Sequence, residues 1–318
     1  RLNKNSKIFL AGHNGMVGSS ILRLLKKKKY KKIFTKNRLS LDLLNQLKTT
    51  KNLKSIKPDC VIIAAAKVGG ILANKKYKAD FIYENIMIQS NLIHASFLAG
   101  VKKLILLGSS CVYPKYATQP IKEKYLLSGN LEETNDAYAI AKIAGIKMCE
   151  SYNKQYNLNY ICLMPTNVYG PNDNYDLKTS HFFPALIHKA HICKIKNKKF
   201  MEIWGSGNPL RELIYVDDVA EACIFFMRKK TKETLINIGT GKDFKIKDYV
   251  NFIFKKLNLK IKIKFNRSKP DGVPRKLLDV SRAKKYGWIA KTSLDDGFEK
   301  KYPKFKKNFI KLLKILSL

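Results

Sequence analysis

A tyrosine and a lysine stand four residues apart in Tyr138-Ala139-Ile140-Ala141-Lys142, a spacing that puts both on one face of a helix. An ammonium beside a phenol stabilises its phenolate, so Tyr138 can exchange a proton with a carbonyl oxygen near neutral pH. Upstream, Leu107-Gly108-Ser109-Ser110-Cys111-Val112-Tyr113-Pro114 closes an apolar strand pattern, and Ser109 there is placed to share that oxygen with Tyr138. The tyrosine–lysine spacing alone is common on helix surfaces; joined to a serine at the preceding strand end, it becomes specific. His188 and His191 fall on ordinary helical positions with no third ligand in view, so no metal site is expected.

A second constellation is Gly12-His13-Asn14-Gly15-Met16-Val17-Gly18. Glycines three apart permit a tight turn and close backbone approach, and the helix they open offers unpaired N–H groups to a pyrophosphate. Where a carboxylate would bind the ribose 2′-hydroxyl of NAD, the chain has Thr35-Lys36-Asn37-Arg38. Arg38, with Lys36, is therefore expected to meet the 2′-phosphate of NADP. Asp42 reads as an adenine contact or a helix cap.

These groups need a parallel sheet to hold them. Strands are expected at residues 7–11, 32–35, 60–64, 103–107 and 160–164, with helices at 16–27, 80–99 and 135–156. Such alternation predicts an α/β fold, a Rossmann-like doubly wound parallel sheet with a smaller C-terminal substrate-binding α/β domain. Residues 1–169 are expected to bind the dinucleotide, with a return to the main sheet over 212–240 in which Asp217 caps a helix. Residues 170–318 are expected mainly to cover the substrate. The basic tail after Phe298, broken by Pro303, reads as a surface helix.

Composition bounds the alternatives. Hydrophobic residues make up 45% of 318, enough for a core. No apolar run approaches a membrane span, and residues 8–11 are too short for a signal peptide, so a cytoplasmic, non-membrane protein is expected. The chain opens with Arg1 rather than Met, which suggests trimming at the extreme N-terminus. Six cysteines (Cys60, Cys111, Cys149, Cys162, Cys193, Cys223) without paired spacing suit reduced thiols. Lys+Arg 62 against Asp+Glu 24 gives a net charge of +38. The lysines are spread along the chain among many Asn and Ile, as AT-rich codons would give, so no nucleic-acid partner is expected. A positive field would still draw in a nucleotide diphosphate.

Further segments carry a resemblance. They are Ala64-Ala65-Ala66-Lys67-Val68-Gly69-Gly70-Ile71, residues 108–114 and 138–145, Pro165-Thr166-Asn167-Val168-Tyr169-Gly170-Pro171, Trp204-Gly205-Ser206-Gly207, Lys269-Pro270-Asp271-Gly272 and Pro274-Arg275-Lys276. From about residue 8 to 288, the chain resembles the GDP-L-fucose synthase family of extended short-chain dehydrogenases. The resemblance implies that GDP-4-keto-6-deoxy-D-mannose is epimerised at C3 and C5 and then reduced at C4 by NADPH. It implies catalytic roles for Ser109, Tyr138 and Lys142, with Cys111 and His181 as the acid–base pair of epimerisation. For NADP it implies Gly12, Asn14, Gly15, Met16, Val17, Gly18, Arg38, Asp42, Leu107, Gly108, Ser109, Lys142, Pro165, Asn167, Val168 and His181. For the GDP-sugar it implies Lys189, Trp204, Arg211 and Asp271, and for assembly a homodimer through the helix carrying Tyr138.

Two positions depart from the family pattern. Asn14 stands where arginine is expected near the 2′-phosphate, which weakens selectivity for NADP. Lys189 also replaces an arginine, keeping charge but losing the bidentate fork. Two competing readings remain. A sugar-nucleotide 4-epimerase or 4-ketoreductase would keep Ser109, Tyr138 and Lys142 without requiring Cys111 and His181. A non-catalytic cofactor- or polyanion-binding protein would have no need of the Ser/Tyr/Lys set.

Overall fold

Wholly apolar runs of four to six residues between helices are the mark of parallel strands covered on both faces. The computed structural model describes residues 2–316 apart from 178 and 270, so Arg1 and the Pro270 of the matched Lys269-to-Gly272 segment lie outside the described residues. β1 (Lys7–Ala11) leads into α1 (Met16–Lys27). There follow β2 (Lys32–Phe34), α2 (Gln46–Ile56), β3 (Cys60–Ile63), α3 (Ile71–Lys76), α4 (Lys78–Leu98), β4 (Lys103–Leu107), α5 (Asp136–Tyr156) and β5 (Asn159–Pro165). The second half runs β6 (Asn167–Tyr169), α6 (Phe182–Ile195), β7 (Phe200–Trp204), β8 (Leu210–Tyr215), α7 (Val216–Arg228) and β9 (Leu235–Ile238). It ends with β10 (Asp243–Lys245), α8 (Ile246–Leu257), β11 (Lys262–Asn266), β12 (Arg275–Lys276), α9 (Ser281–Lys285) and α10 (Leu294–Leu316).

The main sheet has the order β2-β1-β3-β4-β5-β9, with every pairing parallel. This is the Rossmann-like doubly wound sheet expected. Leu92, Ile93, Ile143 and Ile146 of α4 and α5 bury one face, and Ile21, Leu25, Val219 and Phe226 of α1 and α7 bury the other. The strand order reverses between β1 and β3, and the crevice beyond the carboxyl ends of those strands is where such sheets take ligands. α4 and α5 approach closely because Gly145 has no side chain: a Cβ there would lie 2.6 Å from the Gln89 Cδ.

A smaller unit follows β5. β8 pairs with β10 and β12 and, on a separate ladder, with β6, while β7 pairs with β11. Its core is aromatic, with Tyr169, Phe183, Tyr215, Tyr249, Phe298 and Phe305 all buried. β8 thus pairs within this smaller unit, while β9 joins the main sheet beside β5.

Three local expectations are corrected. Asp217 does not cap α7, which begins at Val216 with Tyr215 in the cap position. Its carboxylate instead accepts the Ser20 hydroxyl at 2.6 Å and pairs with Arg23, locking α7 to α1. Asp42 does not cap α2; Asn45 does, accepting the Lys48 N–H at 2.9 Å, while Asp42 accepts the Leu44 N–H at 3.1 Å. The C-terminal tail is no simple surface helix: α10 passes through Pro303 unbroken and buries Phe298, Lys301, Phe305 and Phe309. All six cysteines are buried free thiols. No helix among the described residues is long and apolar enough to cross a membrane.

Candidate active site

The turn after β1 is built for a close-lying ligand. Gly12 has φ +87, and a Cβ on it would lie 2.5 Å from the Ala65 nitrogen; one on Gly18 would overlap the Gly12 carbonyl oxygen. Gly15 occupies the cap of α1 and provides no side-chain cap, so the first N–H groups of the helix, at Met16 and Val17, gain no partner from it. His13 adds a buried Nδ1 with no partner. Unpaired donors, a helix N-terminus and a cradle that any Cβ would fill fit a dinucleotide pyrophosphate. Beyond β2, Lys36, Arg38 and Asp42 are exposed, and no carboxylate lies between Phe34 and Asp42. Asn14 is exposed beside the turn.

Gly18→Ala is expected to weaken NADPH binding at least about 100-fold, because a shift of about 1 Å in the turn is enough to misplace the ligand. Fluorescence titration of NADPH measures this. Wild-type affinity in a folded variant would dissociate the turn from the cofactor.

Leu107, Gly108 and Ser109 leave β4 directly over the crevice. Gly108 admits the Met164 side chain, with which any Cβ would collide. Ser109 starts the 3-10 turn Ser110–Val112, and its hydroxyl accepts the Cys111 N–H at 3.4 Å. Cys111 is thereby buried beside Ser109.

Tyr138 and Lys142 face this turn from the first half of α5. Lys142 is 3% exposed, donates from Nζ to the Leu107 carbonyl at 3.0 Å, and stands 5.8 Å from the centre of the Tyr138 ring. Burial lowers its pKa to about 8, against the opposing pull of Cys111 and Cys162. Burial, with Cys111 adding to it, pushes the Tyr138 phenol well above its ordinary value. Near neutral pH Tyr138 is therefore held as a proton donor, the state that ketone reduction requires. Phe81 packs edge-on against its ring at 6.4 Å.

Past β5, Pro165 is buried and leads into Asn167, which donates to the Glu212 carbonyl at 2.9 Å. Val168 packs at the junction of two of the three cores. His181 occupies the cap position of α6. Solvent reaches its ring, yet surrounding protein lowers its pKa by desolvation; Asp173 opposes this, and Lys276 and Lys301 add to it.

The expected substrate contacts gather in the smaller unit. The Lys189 Nζ stands 5.4 Å from the Trp204 ring centre and 3.4 Å from the Glu202 carbonyl. Burial lowers the pKa of Lys189 and also that of Arg211, whose guanidinium Asp271 faces. Asp271 accepts the Ser206 N–H at 2.6 Å and its hydroxyl at 2.7 Å, fixing the turn after Trp204.

Three residues escaped the sequence reading. Lys276 lies in register with Arg211 across the β12–β8 pair, and its ammonium opposes protonation of His181. Only its place in the matched segment 274–276 could have flagged it. Asn135, at the start of α5, and Ser180, beside His181, each bury a side-chain oxygen without a partner. Buried polar atoms are normally paired, so these two stand out beside the site.

The family model described as NAD dependent epimerase/dehydratase matches residues 8–239. The chain belongs to this family. Among curated epimerase/dehydratase relatives, GDP-L-fucose synthase of Sinorhizobium fredii is 50% identical over 302 residues, covering 95% of this chain and 96% of that one. The Escherichia coli GDP-L-fucose synthase is 47% identical over 311 residues, covering 95% and 97%. The solved GDP-mannoheptose C4 reductase of Campylobacter jejuni, with NADP bound, superposes with a TM-score of 0.89 at 39% identity, covering 96% of this chain and all of that one. Within the epimerase/dehydratase family the phosphate turn, Ser109, Tyr138 and Lys142 thus fall on a shared scaffold.

Proposed function

We propose that this chain converts GDP-4-keto-6-deoxy-D-mannose to GDP-L-fucose by 3,5-epimerisation followed by NADPH-dependent 4-reduction. What carries the reading is one oxygen-binding locus serving two chemistries. In this reading Ser109, after β4, and Tyr138, on α5, share it; Cys111 is buried beside Ser109, and His181 occupies the position before α6. The GDP-L-fucose synthases at 50% and 47% identity support the substrate.

The substrate's C4 ketone makes its C3 and C5 protons acidic once the developing oxyanion has donors, which Ser109 and Tyr138 supply. One of Cys111 and His181 takes the α-proton and the other returns a proton to the opposite face, so proton count and charge balance over each inversion. Bound NADPH supplies the hydride for C4. Tyr138 gives its hydroxyl proton to the alkoxide oxygen, and the Lys142 ammonium stabilises the phenolate left behind. Lys189, Arg211 and Lys276 offer cations to the diphosphate and Trp204 a ring face to the base. Asn135 and Ser180 receive sugar hydroxyls.

Arg38 and Lys36 hold the 2′-phosphate, so NADPH is used in preference to NADH. Residues 1–169 with the return over 212–240, of which β8 falls in the smaller unit, bind the cofactor, and 170–318 cover the substrate. The enzyme is cytoplasmic and pairs as a homodimer through α4 and α5, whose Tyr83, Ile140 and Tyr156 are exposed apolar groups.

The test is loss of nicotinamide absorbance with GDP-4-keto-6-deoxymannose, with NMR of the sugar formed. GDP-L-fucose is expected; oxidation that yields only the unepimerised GDP-6-deoxyhexose would leave a simple 4-ketoreductase.

A pH dependence follows from Lys142. Its ammonium is present below about 8 and lost above, so kcat/KM for reduction is expected to fall as pH rises through about 8. Lys142→Arg should carry the charge past that limb. A profile flat to about pH 9.5 would remove the lysine from the rate.

A further inference from the structure

In a chain with 62 lysines and arginines, only Lys142 and Lys301 are buried below a tenth of their surface among the described residues. Lys142 belongs to the site already described. Lys301 lies on α10, fully buried, with its Nζ 2.7 Å from the Asp173 Oδ2, itself almost wholly buried. Three rings close around the ammonium, those of Tyr169 at 5.5 Å, Tyr175 at 5.1 Å and Phe183 at 5.5 Å.

Such a pair is an expensive way to hold two segments together, since apolar residues of similar volume do so at no desolvation cost. Its value must lie in where it holds the chain. Asp173 sits in the segment 170–180 that joins β6 to His181. Other ties run along that segment. The Asn172 amide donates to Ser19 of α1 at 3.1 Å, the Tyr175 ring meets Phe305 of α10 at 4.4 Å, and the Thr179 carbonyl accepts the Gly70 N–H at 2.7 Å. Phe183, in the ring box, is two residues beyond His181, so the ammonium is gripped from both sides of that imidazole along the chain.

We propose that Lys301 is a positioning residue for His181, fixing the 170–180 segment through Asp173 so that the imidazole meets the substrate carbon. The inference rests on the acid–base reading of His181 given above. The pair also sets the charge around the ring: Asp173 from the segment itself, Lys301 from α10 and Lys276 from β12 face it, the carboxylate favouring imidazolium and the two ammonium groups opposing it. The C-terminal helix, which lies beyond the family-matched residues 8–239, is in this way part of the epimerase.

The experiment uses the full chain in three forms: Lys301→Met, the double variant Asp173→Asn with Lys301→Met, and His181→Asn as reference. Deuterium uptake at C3 and C5 from solvent, NADPH affinity, KM and the NMR titration of the His181 ring are measured. Lys301→Met leaves Asp173 unopposed, so the His181 midpoint should rise. The double variant removes both charges and leaves no unpaired buried ion, so it keeps the fold if the single variant loses it. Its His181 midpoint should return near wild type. Its exchange rate should nonetheless fall about 10- to 100-fold with KM and NADPH affinity within about twofold, the signature of a misplaced group. Wild-type exchange in the double variant, with His181→Asn inactive, would reduce Lys301 to a structural tie. Undiminished exchange in His181→Asn would instead sink the acid–base reading itself.

Discussion

Replacing Tyr138 with phenylalanine is expected to slow C4 reduction about 1,000-fold, within the range of a positioned general acid, with little change in KM. The phenol has two duties at one oxygen. During enolisation it donates one of two hydrogen bonds, and Ser109 retains the other. During reduction it must part with its proton, and Ser109 has no ammonium beside it to stabilise the resulting anion. The Lys142 Nζ stands 5.8 Å from the centre of the Tyr138 ring and is held there by the Leu107 carbonyl. Deuterium exchange at C3 and C5 should therefore fall much less than reduction, by about 10- to 100-fold for the loss of one oxyanion donor. Single-turnover measurements with both readouts separate the two. A drop in reduction smaller than tenfold would hand the proton to another group.

The parts of the site legible in the sequence are those encoded by short-range spacing. β1, α1 and β4 have the expected bounds because apolar runs meet glycine or lysine at both ends. Tyr138 and Lys142 need only helical periodicity to share a face. The phosphate turn is equally local, since a Cβ on Gly15 or Gly18 would meet the Gly12 carbonyl; only the approach of Gly12 to the Ala64-Ala65 backbone is tertiary. α2 was not legible: its lysine-rich sequence buries only Thr49 and Leu53 on the sheet side, too few to show a period.

Tertiary partners explain the remaining misses. Asp217 has the residue type of a cap, but α7 begins one residue before it, and its carboxylate goes to Ser20 and Arg23, distant in sequence. Lys276 is brought to Arg211 because β12 pairs with β8, and the Ile121 N–H bonds the Leu277 carbonyl at 2.8 Å, joining the segment after Cys111 to β12. Nothing near Lys276 in sequence announces either contact. Lys301 is hidden for a different reason: in a basic amphipathic tail a lysine reads as solvated, and only the Asp173 carboxylate and its ring box show otherwise. The same composition that makes most lysines uninformative makes a buried one worth pursuing.

Cys111→Ser and His181→Asn are each expected to reduce solvent exchange at C3 and C5 about 1,000-fold, the loss of one member of an acid–base pair. Cys111→Ser should not alter NADPH affinity more than a few-fold, since the phosphate turn and the β2 end are other segments of the chain; His181→Asn, at a position the resemblance also gives to NADP, should lose exchange well beyond any loss of NADPH affinity. The product should change with the rate. Ser109, Tyr138 and Lys142 remain intact, so the unepimerised ketone can still be reduced, and NMR should find a GDP-6-deoxyhexose retaining the starting configuration at C3 and C5. The two variants need not fail alike. Cys111 is buried within the turn that Ser109 begins, so serine can keep the local fold while losing the thiol's proton affinity. His181 occupies the cap position of α6 without a side-chain cap bond and is reached by solvent, so asparagine, a favoured residue there, can keep the helix start while losing the imidazole. Exchange that survives at one carbon and not the other would mean that each inversion uses a different partner. Full exchange at both carbons in either variant would remove that residue from the pair, and the reduction machinery on β4 and α5 would then stand without an epimerase.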